Sequence, residues 1–372
     1  MKRKMIFLAL MLTMLSAASA NAQVLIGGSE NDEPHSGTVL DLQNTETFKG
    51  GLLLPRVALT NLESLDDISG DDKDPEALTG LTVYNTVPCT EGIYTWNGNK
   101  WKLVVSTIQD CSSVQDIEGN CYYAARFGAA GCWMTQNLRS TKSSSVTDLI
   151  ENGNPGEDSS LKYYWYPGSR ASVAAATADD ILDSHPEYGL LYTWAAVTGR
   201  TGVSDNEGQG ESNAGNSENI QGICPDGWHL PSDREWNELE KEIANSAEGT
   251  YGTGATTAWN ESWETINNEP RPSSGNGHGS VMKSATKVLT STTATNGTSN
   301  DLTANGFDAL LVGGADHGNF GGYGTGAYFW SISSRSENFA WCRTLRNNLT
   351  GVYRYNIYKY YMRSVRCKKN DN

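Results

Sequence analysis

No stretch of the 372-residue sequence reaches the roughly 18 uninterrupted apolar residues of a transmembrane helix, which excludes a helical membrane span. Basic charge is short: 28 Lys+Arg face 43 Asp+Glu, for a formal net charge of −15. Neutralising nucleic-acid phosphates needs a net basic surface, so a general nucleic-acid binder is excluded as well. Only 5 histidines are present, scattered and never close to paired cysteines, so no zinc pattern forms and no metal or cofactor is expected. A calcium loop of D-x-D-x-D-G type is missing. The glycines at 321, 322, 324 and 326 lack the strand–helix context and the Lys-Ser/Thr of a phosphate loop, and read as loop glycines. There is no Gly-x-Ser-x-Gly elbow, and Asp316-His317 is an adjacent pair in a Gly-rich turn rather than part of a triad. Acidic pairs for glycoside hydrolysis can be picked anywhere among 43 carboxylates, so picking them tells nothing. No enzyme chemistry is expected.

The sequence does contain an export pattern. Lys2, Arg3 and Lys4 precede the apolar run Met5 to Leu15, and Ala20-Asn21-Ala22 puts small residues at the −3 and −1 positions of a cleavage site. Residues 1–22 therefore read as a secretory signal peptide cut before Gln23. Its removal leaves 350 residues and, with three cations lost, a charge of −18. The expected location is outside the cytoplasm, at the outer surface or extracellular, with the periplasm as the alternative. In such an oxidising space disulfides are the default for the 7 cysteines. Cys121 and Cys132 bracket a short Gly/Ala segment and could close a hairpin. Cys89 and Cys111 flank a strand pair, and Cys224 with Cys367 would clamp the middle of the chain to its end. Connectivity stays open. Cys342 is the odd one out.

Composition divides the mature chain near residue 106. Residues 23–106 read as a β-rich module: Val39 to Leu42, Gly51 to Val57, Gly80 to Asn85 and Gly92 to Trp96 are short apolar runs bounded by turn residues. Asn97-Gly98 favours a hairpin that pairs Trp96 with Trp101 for packing. The seven carboxylates between Glu63 and Glu76 read as a solvated loop. In residues 107–372, short strands are expected around Tyr122 and Trp133, and a helix over Leu190 to Val197. Thr201 to Asn219 reads as a long loop. Ser232 and Glu235 form a capping box, and Trp236, Leu239 and Ile243 give the following helix a single buried stripe. Residues 247–305 look like surface excursions with little regular structure. Strands follow at Phe307 to Gly314, Tyr328 to Ser333, Phe339 to Leu345, Val352 to Tyr355 and Ser364 to Cys367.

Several of these segments together resemble a known family. They are Asp116 to Asn120, Trp133 to Leu138, Tyr188 to Trp194, Cys224 to Ser232 with Glu235-Trp236, Tyr328 to Ser331, Val352 to Tyr355 and Ser364 to Cys367. In this order, over about residues 112–369, they are similar to the Fibrobacter succinogenes major paralogous domain family of secreted bacterial proteins. The resemblance implies an α+β, C-type-lectin-like domain of two helices, small antiparallel sheets and long loops, and it supports the Cys224–Cys367 clamp. Residues 23–106 look like an N-terminal module of bacterial surface proteins. Gly227 to Pro231 and Glu235-Trp236 are also similar to the helix signature of formylglycine-generating oxidases, whose copper site uses a nearby cysteine pair. No cysteine lies between Arg343 and Arg366, so that chemistry is not expected. The sugar-binding triplets of calcium-dependent lectins are not matched either: Glu269-Pro270-Arg271 puts a guanidinium where a calcium-coordinating oxygen is needed.

One anomaly remains. From Asn338 to Asn370 there are eight basic residues and no acidic one, interleaved with tyrosines. Tyr and Arg are enriched at recognition hot spots. Arg343, Arg346, Tyr353, Arg354, Tyr355, Tyr358 and Tyr360 are therefore the candidate ligand-binding residues, for a glycan or a surface protein. The competing expectation is that these strands dock on the acidic remainder. The function expected is a non-catalytic secreted or cell-surface binding or adhesion protein. The alternative is a structural subunit or tip of a surface appendage, assembling as a homo-oligomer through residues 23–106.

Overall fold

The computed structural model describes residues 24–27, 40–43, 53–70, 73–86, 92–104, 111, 114–168, 184–200, 220–289, 291–302 and 305–371. The expected signal peptide, the loop Thr201 to Asn219 and Cys89 lie outside them. The chain divides into two units at Pro55–Arg56. In the first, strands Val24–Gly27 and Leu40–Gln43 pair in parallel. The second is α+β, with few helices and several small sheets.

The second unit begins with a four-stranded sheet in the order Arg56–Val57, Thr82–Asn85, Gly92–Trp96, Trp101–Leu103. Trp96 sits opposite Trp101 across the Asn97-Gly98 turn, the two rings edge to face at 5.6 Å. Gly98 takes φ +92° there, and the Asn97 side chain accepts hydrogen bonds from the backbones of Asn99 and Lys100. Both indoles are buried, donating to the carbonyls of Pro75 and Ser64 at 2.9 Å. The acidic loop thus turns Leu62, Leu65 and Ile68 inward while Glu63, Asp66, Asp74 and Glu76 stay exposed.

The largest sheet has six strands in the order Glu269–Arg271, Val352–Tyr358, Phe339–Arg346, Gly326–Ser334, Val312–Asp316, Asn319–Tyr323. Against one face lies the long helix Asp233–Asn245, with the expected capping box complete between Ser232 and Glu235. Trp236, Leu239 and Ile243 are fully buried in a core with Phe127, Trp133, Phe307 and Phe329. A second core surrounds the Cys224–Cys367 disulfide and contains Tyr192, Trp194, Trp330, Cys342 and Val365. Four short strands close this region in the order Trp228–His229, Lys368–Lys369, Cys132–Met134, Ala124–Arg126.

Several expectations need correction. Residues 190–197 are not one helix. Leu191–Tyr192 is a strand paired with Tyr164 and Trp165, and Thr193 caps a helix that runs only over Trp194–Thr198, ended by Gly199 in the left-handed region. Ser364 to Cys367 forms no strand beyond a single bridge from Ser364 to Phe329, and regular pairing starts at Lys368. Gly321, Gly322 and Gly326 lie in strands rather than in a loop. Residues 247–305 are not mere surface excursions: they supply strand Glu269–Arg271 and the short buried helix His278–Met282. The Cys121–Cys132 and Cys89–Cys111 pairings also fail, because Cys111 is bonded to Cys132. Cys132 opens a hairpin strand in which it faces Arg126, while Cys121 lies before that hairpin, facing Gln115. Cys121 is disulfide-bonded as well. Cys342 is free and buried.

Candidate functional site

Strand geometry divides the seven candidates. Side chains alternate between faces along a strand, so Arg354 cannot share a surface with Tyr353 and Tyr355. The register sets Phe329, Arg343 and Arg354 in one row, and Tyr328, Thr344 and Tyr353 in the next. The first row faces the long helix, and Arg343 and Arg354 are both 0% exposed. They are therefore removed from the candidate ligand face.

Their partners come from a second, polar stripe on that helix. Asp233, Asn237 and Glu240 follow one another at i, i+4 and i+7, and all three are buried. Arg343 donates to Glu240 Oε1 and Asp233 Oδ1, both at 2.6 Å, and to Asn237 Oδ1 at 2.8 Å. Arg354 donates to Asp233 Oδ2 through Nε and Nη2, at 2.9 and 2.8 Å, and its guanidinium stacks 3.6 Å over Trp341. Arg271 reaches Glu240 and Asn237, and His278 Nε2 lies 3.0 Å from Glu240 Oε2. Three guanidinium groups thus converge on two carboxylates inside the protein. Burial by itself raises the Glu240 carboxyl, but the charges of Arg271 and Arg343 and the His278 bond outweigh it and hold the group at about 2. This network fastens sheet to helix and leaves nothing exposed to a large ligand.

The outward residues form a different surface. Tyr353 and Tyr355 are half-buried, and Arg346 is exposed with its guanidinium 4.9 Å over the Tyr353 ring. Next to them, Arg363 stacks over Tyr328 and Tyr361 and donates to Asp316 Oδ1 at 2.7 Å. A separate aromatic cluster covers the turn 358–361, where Tyr358 has the parity of Arg354 and sits opposite Phe339 rather than in the Tyr353–Tyr355 row. Tyr358 packs on Phe339 at 4.4 Å and stacks on Tyr360 at 4.9 Å, and Tyr361 lies edge-on to Tyr360. Tyr358 is 39% exposed, whereas Tyr360 is buried at 5% and acts as a support. Across from this turn, His317 sits 4.8 Å from Tyr360, whose hydroxyl is 3.4 Å from His317 Nε2. His317 and Gly318 both have positive φ in the two-residue turn joining Asp316 to Asn319. That is the conformation a tight hairpin with right-handed strand twist selects, and it lifts Asp316 and His317 to the rim of the cluster.

A second concavity lies elsewhere. A cavity of about 180 Å³ is lined by Asp116, Lys142, Ser144, Gln221, Cys224 and Asp226, among others. Ser144 and Gln221 both donate to Asp226 Oδ1, at 2.7 Å, so its polar wall is largely self-satisfied. Among the described residues, no group of three or more His, Cys, Asp or Glu side chains could hold a metal ion.

Residues missed by sequence reasoning are Asp233, Asn237, Glu240, Arg271 and His278 in the network, and Phe339, Asp316, His317 and Tyr361 at the surface. One signal was present for the first set: a polar D-x3-N-x2-E spacing on the same helix as the apolar stripe, set against a basic segment without acidic residues of its own.

The comparisons agree with the family reading. Residues 128–369 match the Fibrobacter succinogenes major domain, and the chain belongs to that family. Residues 28–118 are similar to a phage tail like trimerisation region. No curated protein and no solved structure matches the chain.

Proposed function

We propose that this chain is a non-catalytic, exported binding or adhesion protein. Its family domain, read as C-type-lectin-like, recognises a glycan or a surface protein through its exposed and half-buried tyrosines. The observation that carries this reading is the half-exposed aromatic cluster at turn 358–361, its rings held in place by packing on one another. Immobilised rings offer large contact area at little entropic cost, the property that makes Tyr a favoured recognition residue. Export is supported by the signal-like N-terminus and two disulfides, and no helix among the described residues is long and apolar enough to cross a membrane. Oxidase chemistry is disfavoured by Cys342, the free cysteine among the described residues: it is buried, and burial pushes its thiol up to about 11.

The test is binding of the full chain to glycan and protein arrays, repeated with Tyr353, Tyr355 and Tyr358 together replaced by Ala. A ligand lost in the triple variant supports the reading. Unchanged binding removes these tyrosines from it.

A second reading, a subunit of a surface assembly, is favoured by the similarity of residues 28–118 to a trimerisation region. Light scattering on the purified full chain tests it: a trimer mass, lost when residues 23–106 are deleted, supports assembly, and a monomer mass at all concentrations counts against it.

A further inference from the structure

We infer that the ligand of the turn 358–361 surface is a neutral glycan, whose sugar ring stacks on Tyr358 while Asp316 accepts its hydroxyl hydrogens; this rests on the binding reading above. Three observations lead here. The exposed ring of Tyr358 is flanked by Phe339 and supported from below by Tyr360, its plane within 16° of the Tyr360 plane. A flat ring fixed in this way matches the C–H face of a pyranose, which presents apolar hydrogens above and below a rim of hydroxyls.

The second observation concerns hydrogen bonding. Arg363 occupies Oδ1 of Asp316, and this carboxylate, half exposed, has no described partner for Oδ2. Arg363 is itself buried, so Asp316 is anchored from behind while its free oxygen remains open to a ligand.

The third observation decides the charge of the ligand. The rim carries two carboxylates: Asp316, half exposed and held by Arg363 at 2.7 Å, and the exposed Glu157 beside His317. A uronate or a sulfate would set its own negative charge against these carboxylates, so a neutral sugar fits better than an anionic one.

Isothermal titration of the full chain against β-1,4-linked glucose and N-acetylglucosamine hexamers, an α-mannose oligomer and heparin tests the inference. Binding is expected to at least one neutral oligomer and not to heparin. Tyr358→Ala and Asp316→Asn each weaken it by about tenfold. Asp226→Ala, in the separate cavity, leaves it unchanged. Both Tyr358 and Asp316 are outside the core, and near-ultraviolet circular dichroism confirms that the variants are folded. The inference is overturned if binding follows Asp226, if heparin is the ligand, or if no oligosaccharide binds while a protein on an array does. In the last case the binding reading survives without its glycan. If neither array yields a ligand, both fall.

Discussion

At the scale of single residues, Glu240 carries the greatest consequence. Two guanidinium groups and an imidazole meet at its carboxylate, all fully buried. Removing one member of a buried ionic group costs about 3–5 kcal/mol, because the remaining charge is left without a counter-ion. Glu240→Gln keeps the shape and loses the charge, so chemical denaturation at neutral pH should show a loss of that order. Acid reads out the same group. Its pKa is depressed from the ordinary 4.5 to about 2, so its contribution is complete above about 4.5 and is lost as pH falls through 2. Stability measured between pH 6 and 2.5 therefore declines for the wild type, and less steeply for Glu240→Gln. Cys342 allows another check. Burial raises its thiol to about 11, so an alkylating reagent at pH 8 labels it only after unfolding.

At the scale of elements, the long helix shows what a sequence reveals and what it hides. Its start was legible because a capping box is local: Ser232 and Glu235 are three residues apart and need nothing else. Ser232→Ala should lower stability by about 1 kcal/mol in a denaturant titration. The stripe of Trp236, Leu239 and Ile243 was equally legible, since apolar periodicity is written within one turn-repeat. The polar stripe beside it was not. Asp233, Asn237 and Glu240 look like ordinary solvent-facing helix residues until Arg271, Arg343 and Arg354 arrive from positions 31 to 121 residues away. Helix His278–Met282 was hidden for a similar reason. It is glycine-poor in propensity terms only after Gly279 is excused, and that glycine is there because an added Cβ would lie 2.6 Å from the Gly351 carbonyl oxygen. Tyr353 and Arg354, by contrast, could have been assigned to opposite faces from the two-residue period alone. Treating the Arg/Tyr segment as one surface combined a structural row with an exposed one.

At the scale of the whole molecule, the Cys224–Cys367 bridge spans 143 residues of sequence. It crosses the core that also holds Trp194, Trp330 and Val365. Replacing both cysteines by Ser should cost about 2–5 kcal/mol, measured as a shift of the denaturation midpoint relative to the oxidised wild type. Immediately after Cys367, Lys368–Lys369 enters between Trp228–His229 and Cys132–Met134 as an inner strand. Asn370 then contacts His229 and Gly227. Synthesis delivers residues 132 and 228 long before 368, so the slot between them stands empty while the ribosome is still working. This sheet cannot close until residues 368–370 are available, so the domain locks only after its last inner strand has been delivered.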